Sequence, residues 1–415
     1  MARKVRCSQN MYRVTLLFLL LFKLLGLATF SISKRGTVEK KPRASELLVT
    51  GSKVEILYNL LFSCLTIAST YISIPTVIND EYPNKTVIST IIDIAEGVLG
   101  AFVMFSVSLY YCTYQLALIK IGNHLIQAEA TLRKLQRPAN RKHIFYVLLV
   151  VYSFKLVLCV SVLVTDYLSY HNGPATWITS VLPSTFVGLL FIQYFSVLTL
   201  MGALFANLNS IIQGLDGSWP DVARLNTLYR TRRLFGSCSM IRFLVQTKEI
   251  HCNLCDISGQ ISQFYSLPTL ICVFFSFCTL LNMSYYLLDL LMIETVVTYI
   301  IIYANISFWI IFIVYPLGLL TSKITEVINE IEKTGSIVHA LLNRAVDREV
   351  KSELEQFSLQ LLHQRVKFTA KGFFTLDNTF LQTMLGTTTT YLVVLIQFGQ
   401  GRVATNDQPC NCTQE

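Results

Sequence analysis

The sequence predicts an all-α membrane protein built as a bundle of seven transmembrane helices. Three observations predict it. Long apolar stretches recur along the chain, and roughly twenty such residues suffice to cross a bilayer as a helix. Lys and Arg fall almost entirely in alternate segments between those stretches. Of the 415 residues, 53% are hydrophobic and only 14% charged, which excludes an ordinary soluble domain.

The stretches are Glu55–Ile78, Val87–Ile119, Ile144–Thr165, Trp177–Leu208, Phe264–Leu288, Glu294–Ser322 and Gly372–Phe398. Several exceed the bilayer thickness, so their inner ends are expected to continue as helices into water. Ahead of them lies Val14–Ser33, apolar but interrupted by Lys23 and Gly26 and preceded by Arg3, Lys4, Arg6 and Arg13. Such a segment reads either as a signal peptide or as a helix dipping into the inner leaflet with Lys23 snorkelling to the surface. The expected layout is an N-terminal segment 1–53, six spans within 54–322, a cytoplasmic helical part 323–371, the last span 372–398 and a tail 399–415.

Orientation follows from charge. Eleven Lys and Arg precede the first span, six lie in Lys120–Lys142, six in Arg224–Lys248 and eight in Lys323–Lys371, while Lys85 and Arg402 alone occupy the opposite set of segments and Lys155 sits inside a span. By the positive-inside rule the amino terminus is cytoplasmic and the carboxyl terminus extracellular, as in a multi-pass plasma-membrane protein. The same distribution accounts for the net charge of +9, so nucleic acid is not an expected partner. Sequons at Asn84-Lys85-Thr86 and Asn411-Cys412-Thr413 fall on the outer side and mark Asn84 and Asn411 for glycosylation. Those at Asn282 and Asn305 lie within spans and read as chance. Seven spans with an inside amino terminus reverse the topology of a G-protein-coupled receptor, and no Asp-Arg-Tyr follows the third span.

Catalytic chemistry is not expected. The chain has no Gly-x-Ser-x-Gly elbow, no phosphate-binding Gly-x-x-x-x-Gly-Lys and no His-Glu-x-x-His. His339 and His363 have no partners at catalytic spacing. The eleven cysteines are dispersed, five of them in spans where a thiol acts as a small hydrophobe. Cys410 and Cys412 lie too close to bridge one another easily. His251-Cys252-Asn253-Leu254-Cys255 resembles half a zinc site but has no second pair nearby. Neither a metal nor a cofactor is expected.

The last apolar stretch organises the chain. From Asn378 to Phe398 it carries no charge, and Gln382, Gly386, Thr390, Val393 and Gln397 follow at spacings of three or four. That spacing places them on one stripe. An amide in hydrocarbon is unfavourable unless paired, so the stripe should face protein or water: an ordinary helix contact, another subunit or a pore.

Thr390-Tyr391, five aliphatic residues, then Gln397-Phe398 resembles the signature closing the last helix of insect gustatory receptors, and Phe373-Phe374-Thr375-Leu376-Asp377 resembles the segment leading into it. That family is similar to insect odorant receptors, ligand-gated cation channels of four subunits whose last helices line one pore. The resemblance implies a homo- or heterotetramer of related subunits in membrane lipid, with Gln397 and Phe398 forming the constriction and Val394 and Thr390 lining the pore below. It also implies that the segment around Leu25-Gly26-Leu27 is a retained apolar helix.

Two further regions need partners. Ile324, Val327, Ile328 and Ile331 form one apolar face, and Val350, Leu354, Phe357, Leu361 and Leu362 another beyond an expected break at Gly335-Ser336. The resemblance implies that such inner helix ends pack into a shared anchor at the symmetry axis; packing within one subunit is the other reading. In the outer half, Asp93, Glu96, Asp166, Asp289 and Glu294 mark span ends, with Trp177, Tyr299 and Tyr303 beside them and Gln193, Asn282 and Asn305 deeper. Aromatic belts explain part of this pattern. A pocket opening outward among spans two to six, lined by Glu96, Trp177, Gln193, Tyr299, Tyr303 and Asn305, explains the rest, and the resemblance places a small-molecule tastant there. Carboxylates suit sugar hydroxyls and, beside aromatic faces, organic amines alike; the scarcity of carboxylates deeper down, where Gln193 and Asn305 are the main polar groups, tilts the expectation toward mixed aromatic and amine compounds of the bitter kind. Alternatives are a sugar or pheromone receptor of the same channel type, or a polytopic transporter, for which the expected internal repeat is missing.

Overall fold

The structure, a computed structural model, describes residues 20–34, 47–79, 87–135, 141–170, 174–215, 230–291, 300–344 and 347–406. Nine long helices account for most of the described chain. They are α1 (Lys53–Asn79), α2 (Val87–Thr113), α3 (Gln115–Leu135), α4 (Arg141–Tyr170), α5 (Leu182–Gly214), α6 (Arg230–Leu291), α7 (Ile300–Arg344), α8 (Arg348–His363) and α9 (Asn378–Asn406). A short turn, Pro174–Thr176, and a π-helical turn, Trp177–Val181, lead directly into α5. Six described helical stretches, containing α1, α2, α4, α5, α6 and α7, are long and apolar enough to cross a membrane. The seventh expected span, α9, has 29 residues but is diluted by Gln382, Gln397 and a run of threonines.

Burial follows composition. α5 is apolar on every side and is buried along most of its length, from Phe186 to Ile212, with α7 as its principal neighbour. α1 is inverted: it buries Asn59, Ser63, Thr66, Thr70 and Ser73 and exposes Leu61, Leu65 and Ile72. A helix that turns polar residues inward and leucines outward is built for lipid. Within α1, Thr66, Thr70 and Ser73 each donate to a carbonyl three or four residues back, which satisfies their hydroxyls inside the helix.

Two helices run past any membrane. α6 is continuous over 62 residues, about 93 Å at helical rise, and α7 over 45 residues, about 67 Å. The break expected at Gly335-Ser336 is not there: α7 runs through it to Arg344, and the turn comes before α8. One helical glycine is a small penalty, and buried Thr334, Ile337, Val338 and Leu341 hold the helix on both sides of it. The stretch Val87–Ile119 is likewise two helices, α2 and α3, divided at Tyr114. The two apolar faces of the part expected to be cytoplasmic pack on the chain's own core: Ile324, Val327, Val350, Leu354 and Phe357 are buried, Ile328, Ile331 and Leu361 partly so, and Leu362 is exposed.

The amino-terminal segment wedges into the end of the bundle rich in Lys and Arg. Leu27, Ala28 and Thr29 are buried there, and Phe30–Lys34 (β1) pairs antiparallel with Leu47–Gly51 (β2). Side chains from three helices fasten its backbone. Asn59 donates to the Gly26 carbonyl at 2.7 Å, Gln193 to that of Leu27 at 2.8 Å, and Gln115 to that of Thr29. Gly26 adopts φ 76°, and a Cβ there would meet Asn59 Oδ1 at 2.6 Å, so only glycine fits. Lys23 pairs with Glu55 at 2.7 Å.

A second hairpin joins α8 to α9. Thr369–Ala370 (β3) pairs with Phe374–Thr375 (β4) through a turn in which Lys371 and Gly372 both take positive φ. It docks on α6, where Ser262 donates to the Lys367 carbonyl at 2.9 Å and Ser266 accepts from the Lys371 amide.

Candidate functional site

The last helix is started deliberately. Asp377 stands just before α9 and outside its apolar stretch, and its carboxylate accepts from the Phe380 amide at 3.0 Å and from the Thr375 and Thr379 hydroxyls. This is an N-terminal cap, and the Thr379 hydroxyl chiefly, with the Phe380 amide, holds the Asp377 carboxyl below the usual aspartate range. Phe374 stacks on Phe380 at 4.3 Å, and Leu376 is buried. The segment Phe373–Asp377 therefore sets where α9 begins and how it leaves the hairpin.

Along α9 one face is covered and the other open. Met384 and Thr388 are buried against the chain, where α9 meets α6 and α7, and Leu392 is half-buried. Gln382, Gly386, Thr390, Val393, Val394 and Gln397 are all exposed. Thr383, Thr387, Thr388, Thr389 and Thr390 each donate to the carbonyl four residues back, so their hydroxyls need no partner elsewhere. The Gln382 and Gln397 amides have no hydrogen-bond partner among the described residues. Phe398 directly follows Gln397 in α9, and its side chain is outside the described residues.

The second region lies at the opposite end of the bundle from the basic segments. There α2 meets α6: Asn282 Nδ2 donates to Glu96 Oε2 at 2.5 Å and the Tyr286 hydroxyl donates to Asp93 Oδ1 at 3.0 Å. Glu96 Oε1 and Asn282 Oδ1 are buried without a hydrogen-bond donor, as is Trp177 Nε1 without an acceptor. Tyr303 donates to the Leu290 carbonyl at 3.0 Å, and buried Asn305 donates to Thr165 at 3.0 Å. An aromatic cluster lies alongside, with Trp309 against Phe312 at 5.9 Å and Trp177, Phe308 and Tyr315 packed around it.

The expected pocket residues are only partly brought together. Glu96, Trp177, Tyr303 and Asn305 share this end of the bundle, while Tyr299 lies outside the described residues, as do the expected glycosylation sites Asn84 and Asn411. Gln193 is elsewhere. Its amide oxygen accepts from Tyr111 at 2.7 Å and its nitrogen donates to Leu27, and Tyr111 is about 22 Å along α2 from Glu96. Gln193 thus holds the amino-terminal wedge. Trp309 and Asn282's pairing with Glu96 were missed from sequence: a tryptophan inside an apolar run and an asparagine 186 residues from its partner carry no local signal. A cavity of about 10 Å³, room for one water, lies between α5, α6 and α7, lined by Ser184, Gly188, Phe275, Ser276, Phe312 and Ile313.

Long apolar helices, an inverted lipid-facing α1 and an uncovered polar stripe on the last helix define a multi-pass membrane protein whose final helix is available to another surface or to water. A family model described as 7tm chemosensory receptor matches residues 15–401, and the chain belongs to that family. Gustatory receptor 28b of Drosophila melanogaster is 28% identical over 207 residues, 46% of this chain, and gustatory receptor 28a of the same species 27% identical over 275 residues, 59% of this chain. The matched parts span 43% and 60% of those relatives' own length. Gustatory receptor 2a is 61% identical over 49 residues, 12% of this chain and 11% of that relative. The fold resembles the insect olfactory receptor OR5 from Machilis hrabei, with TM-score 0.56, 14% identity and coverage of 94% of this chain and 99% of that one.

Proposed function

We propose that this gustatory-type chemosensory receptor is a subunit of a tetrameric, ligand-gated cation channel in the plasma membrane, with its amino terminus cytoplasmic. The observation that carries the reading is the open face of α9. Its threonines are satisfied within their own helix, yet Gln382 and Gln397 present unpartnered amides on an exposed stripe of a helix in lipid. Four such stripes around an axis make a water-lined path of neutral amides and hydroxyls, which passes hydrated cations without choosing sharply among them. Gln397 and Phe398 form the constriction, and Val394 and Thr390 line the path below it.

The tastant is an organic amine of the bitter type, bound at the acidic end between α2, α6 and α7. Glu96 Oε1 and Asn282 Oδ1 are buried without a hydrogen-bond donor, and Tyr286, one helical turn beyond Asn282, donates to Asp93 beside them. An ammonium group supplies both charge and hydrogen bonds to such a site. In cells expressing the chain, organic amines should evoke inward cation current and matched sugars should not. Gln397→Ala should change gating or ion preference far more than Leu392→Ala, and equal effects at the two positions would remove the assignment.

A further inference from the structure

One charge is buried in the middle of the bundle. Lys155 on α4 is 3% exposed, and no carboxylate pairs with it among the described residues. Its ammonium donates to the Phe312 carbonyl of α7 at 2.9 Å and sits 3.0 Å from the centre of the Phe312 ring. Sequence chemistry explains the choice of carbonyl. Phe312 is four residues before Pro316, which lies inside α7 and has no N–H, so the helix itself cannot supply the donor that this carbonyl requires. In a dry bundle a proline-freed carbonyl must be satisfied by something else, and here another span satisfies it.

The surroundings are shaped for this contact. Gly188 of α5 gives the lysine its place: a Cβ there would lie 2.7 Å from Lys155 Nζ, 2.8 Å from its Cε and 3.4 Å from Pro316. Gly188 and Phe312 both line the water-sized cavity, and Ser184, another of its walls, has a buried hydroxyl without a partner. Loose packing beside a proline-weakened turn leaves room for that turn to move. Two residues beyond Pro316, Gly318 faces Leu381 of α9, whose side chain would be 3.7 Å from a Cβ placed there. α7 therefore carries Tyr303 and Asn305 before the weak turn and touches the last helix just after it.

We infer that Lys155 is the positioning residue of a hinge in the sixth span, holding the turn broken by Pro316 by donating to the Phe312 carbonyl, so that loss of this bond frees α7 to move α9. The gating half of the inference rests on the channel reading; the bond itself does not. Four full-length chains test it: wild type, Lys155→Met, Pro316→Ala and the double variant, compared by thermal unfolding in detergent and by sodium current without ligand, normalised to surface protein. Alanine at 316 restores a backbone N–H to the carbonyl. Lys155→Met should lower the unfolding temperature and raise the ligand-free current about fivefold, a typical bias on a two-state element. In the Pro316→Ala background the same change should do little to either.

Additive effects of the two substitutions on unfolding would overturn the inference. Coupled unfolding with unchanged ligand-free current in every variant would overturn its hinge half. If Lys155→Met does not reach the surface, recovery of surface protein in the double variant supports the bond and continued loss refutes it. A wild type without current under any agonist removes the channel reading, and the unfolding comparison still decides on Lys155.

Discussion

Replacing Gln193 distinguishes a ligand contact from a clamp on the amino-terminal wedge. The side chain is buried, donates to the Leu27 carbonyl at 2.8 Å and accepts from the Tyr111 hydroxyl at 2.7 Å. Gln193→Met keeps the shape and removes both bonds, leaving a carbonyl and a hydroxyl buried without partners at about 1–3 kcal/mol each, so about 2–6 kcal/mol in all. For a chain of this size the unfolding entropy makes about 1 kcal/mol equal to roughly 1 °C, which sets the expected fall at about 2–6 °C in detergent. Adding Tyr111→Phe should recover part of that fall, because it removes the hydroxyl that Gln193→Met leaves unpaired. Fluorescence-detected unfolding of the purified single and double variants measures both. An unchanged unfolding temperature in Gln193→Met together with a lost tastant response would refute the clamp and return Gln193 to the pocket.

Gly26→Ala should be worse tolerated than Gly335→Ala, since the first meets Asn59 at 2.6 Å and a positive φ while nothing lies within 4 Å of the second; surface protein on intact cells reports the difference. Asp377→Ala should destabilise the start of α9 by about 0.5–2 kcal/mol, seen as a lower unfolding temperature at neutral pH. Because the folded Asp377 carboxyl is held below its ordinary range, its contribution is present above the unfolded value and is lost as pH falls through the folded one, so the gap between wild type and Asp377→Ala should close in acid. On α8, Leu359 and Leu362 are exposed while Leu354 is buried, so Leu359→Asp with Leu362→Asp should leave the subunit folded and weaken the proposed tetramer on native gels, whereas Leu354→Asp should prevent folding.

What was legible in the sequence was whatever one helix decides by itself. Apolar runs of sufficient length marked α1, α2 and α4 to α7, and the spacing of Gln382, Gly386, Thr390 and Gln397 marked the face of α9 that is exposed. What was not legible depends on partners far away in the chain. Gln193 looked like a pocket residue because a deep amide needs a partner, and nothing local says that the partner is the backbone of Leu27, 166 residues earlier. Lys155 was visible only as a charge inside a span, since its acceptor is 157 residues away and exists because of Pro316. Gly335-Ser336 failed as a break for a related reason: local propensity is a weak prior, and the buried side chains on either side decide.

The central claim is that the open face of α9 lines a cation path, and cysteine accessibility tests it most directly. Cysteine is placed singly at Thr390, Val394, Gln397 and Leu392, and a charged thiol reagent is applied from outside during agonist-evoked current. Modification at Thr390, Val394 and Gln397, faster when the channel is open and reducing the cation current, with Leu392→Cys unaffected, is the predicted result. Equal modification at all four positions, or current block confined to Leu392→Cys, would contradict it.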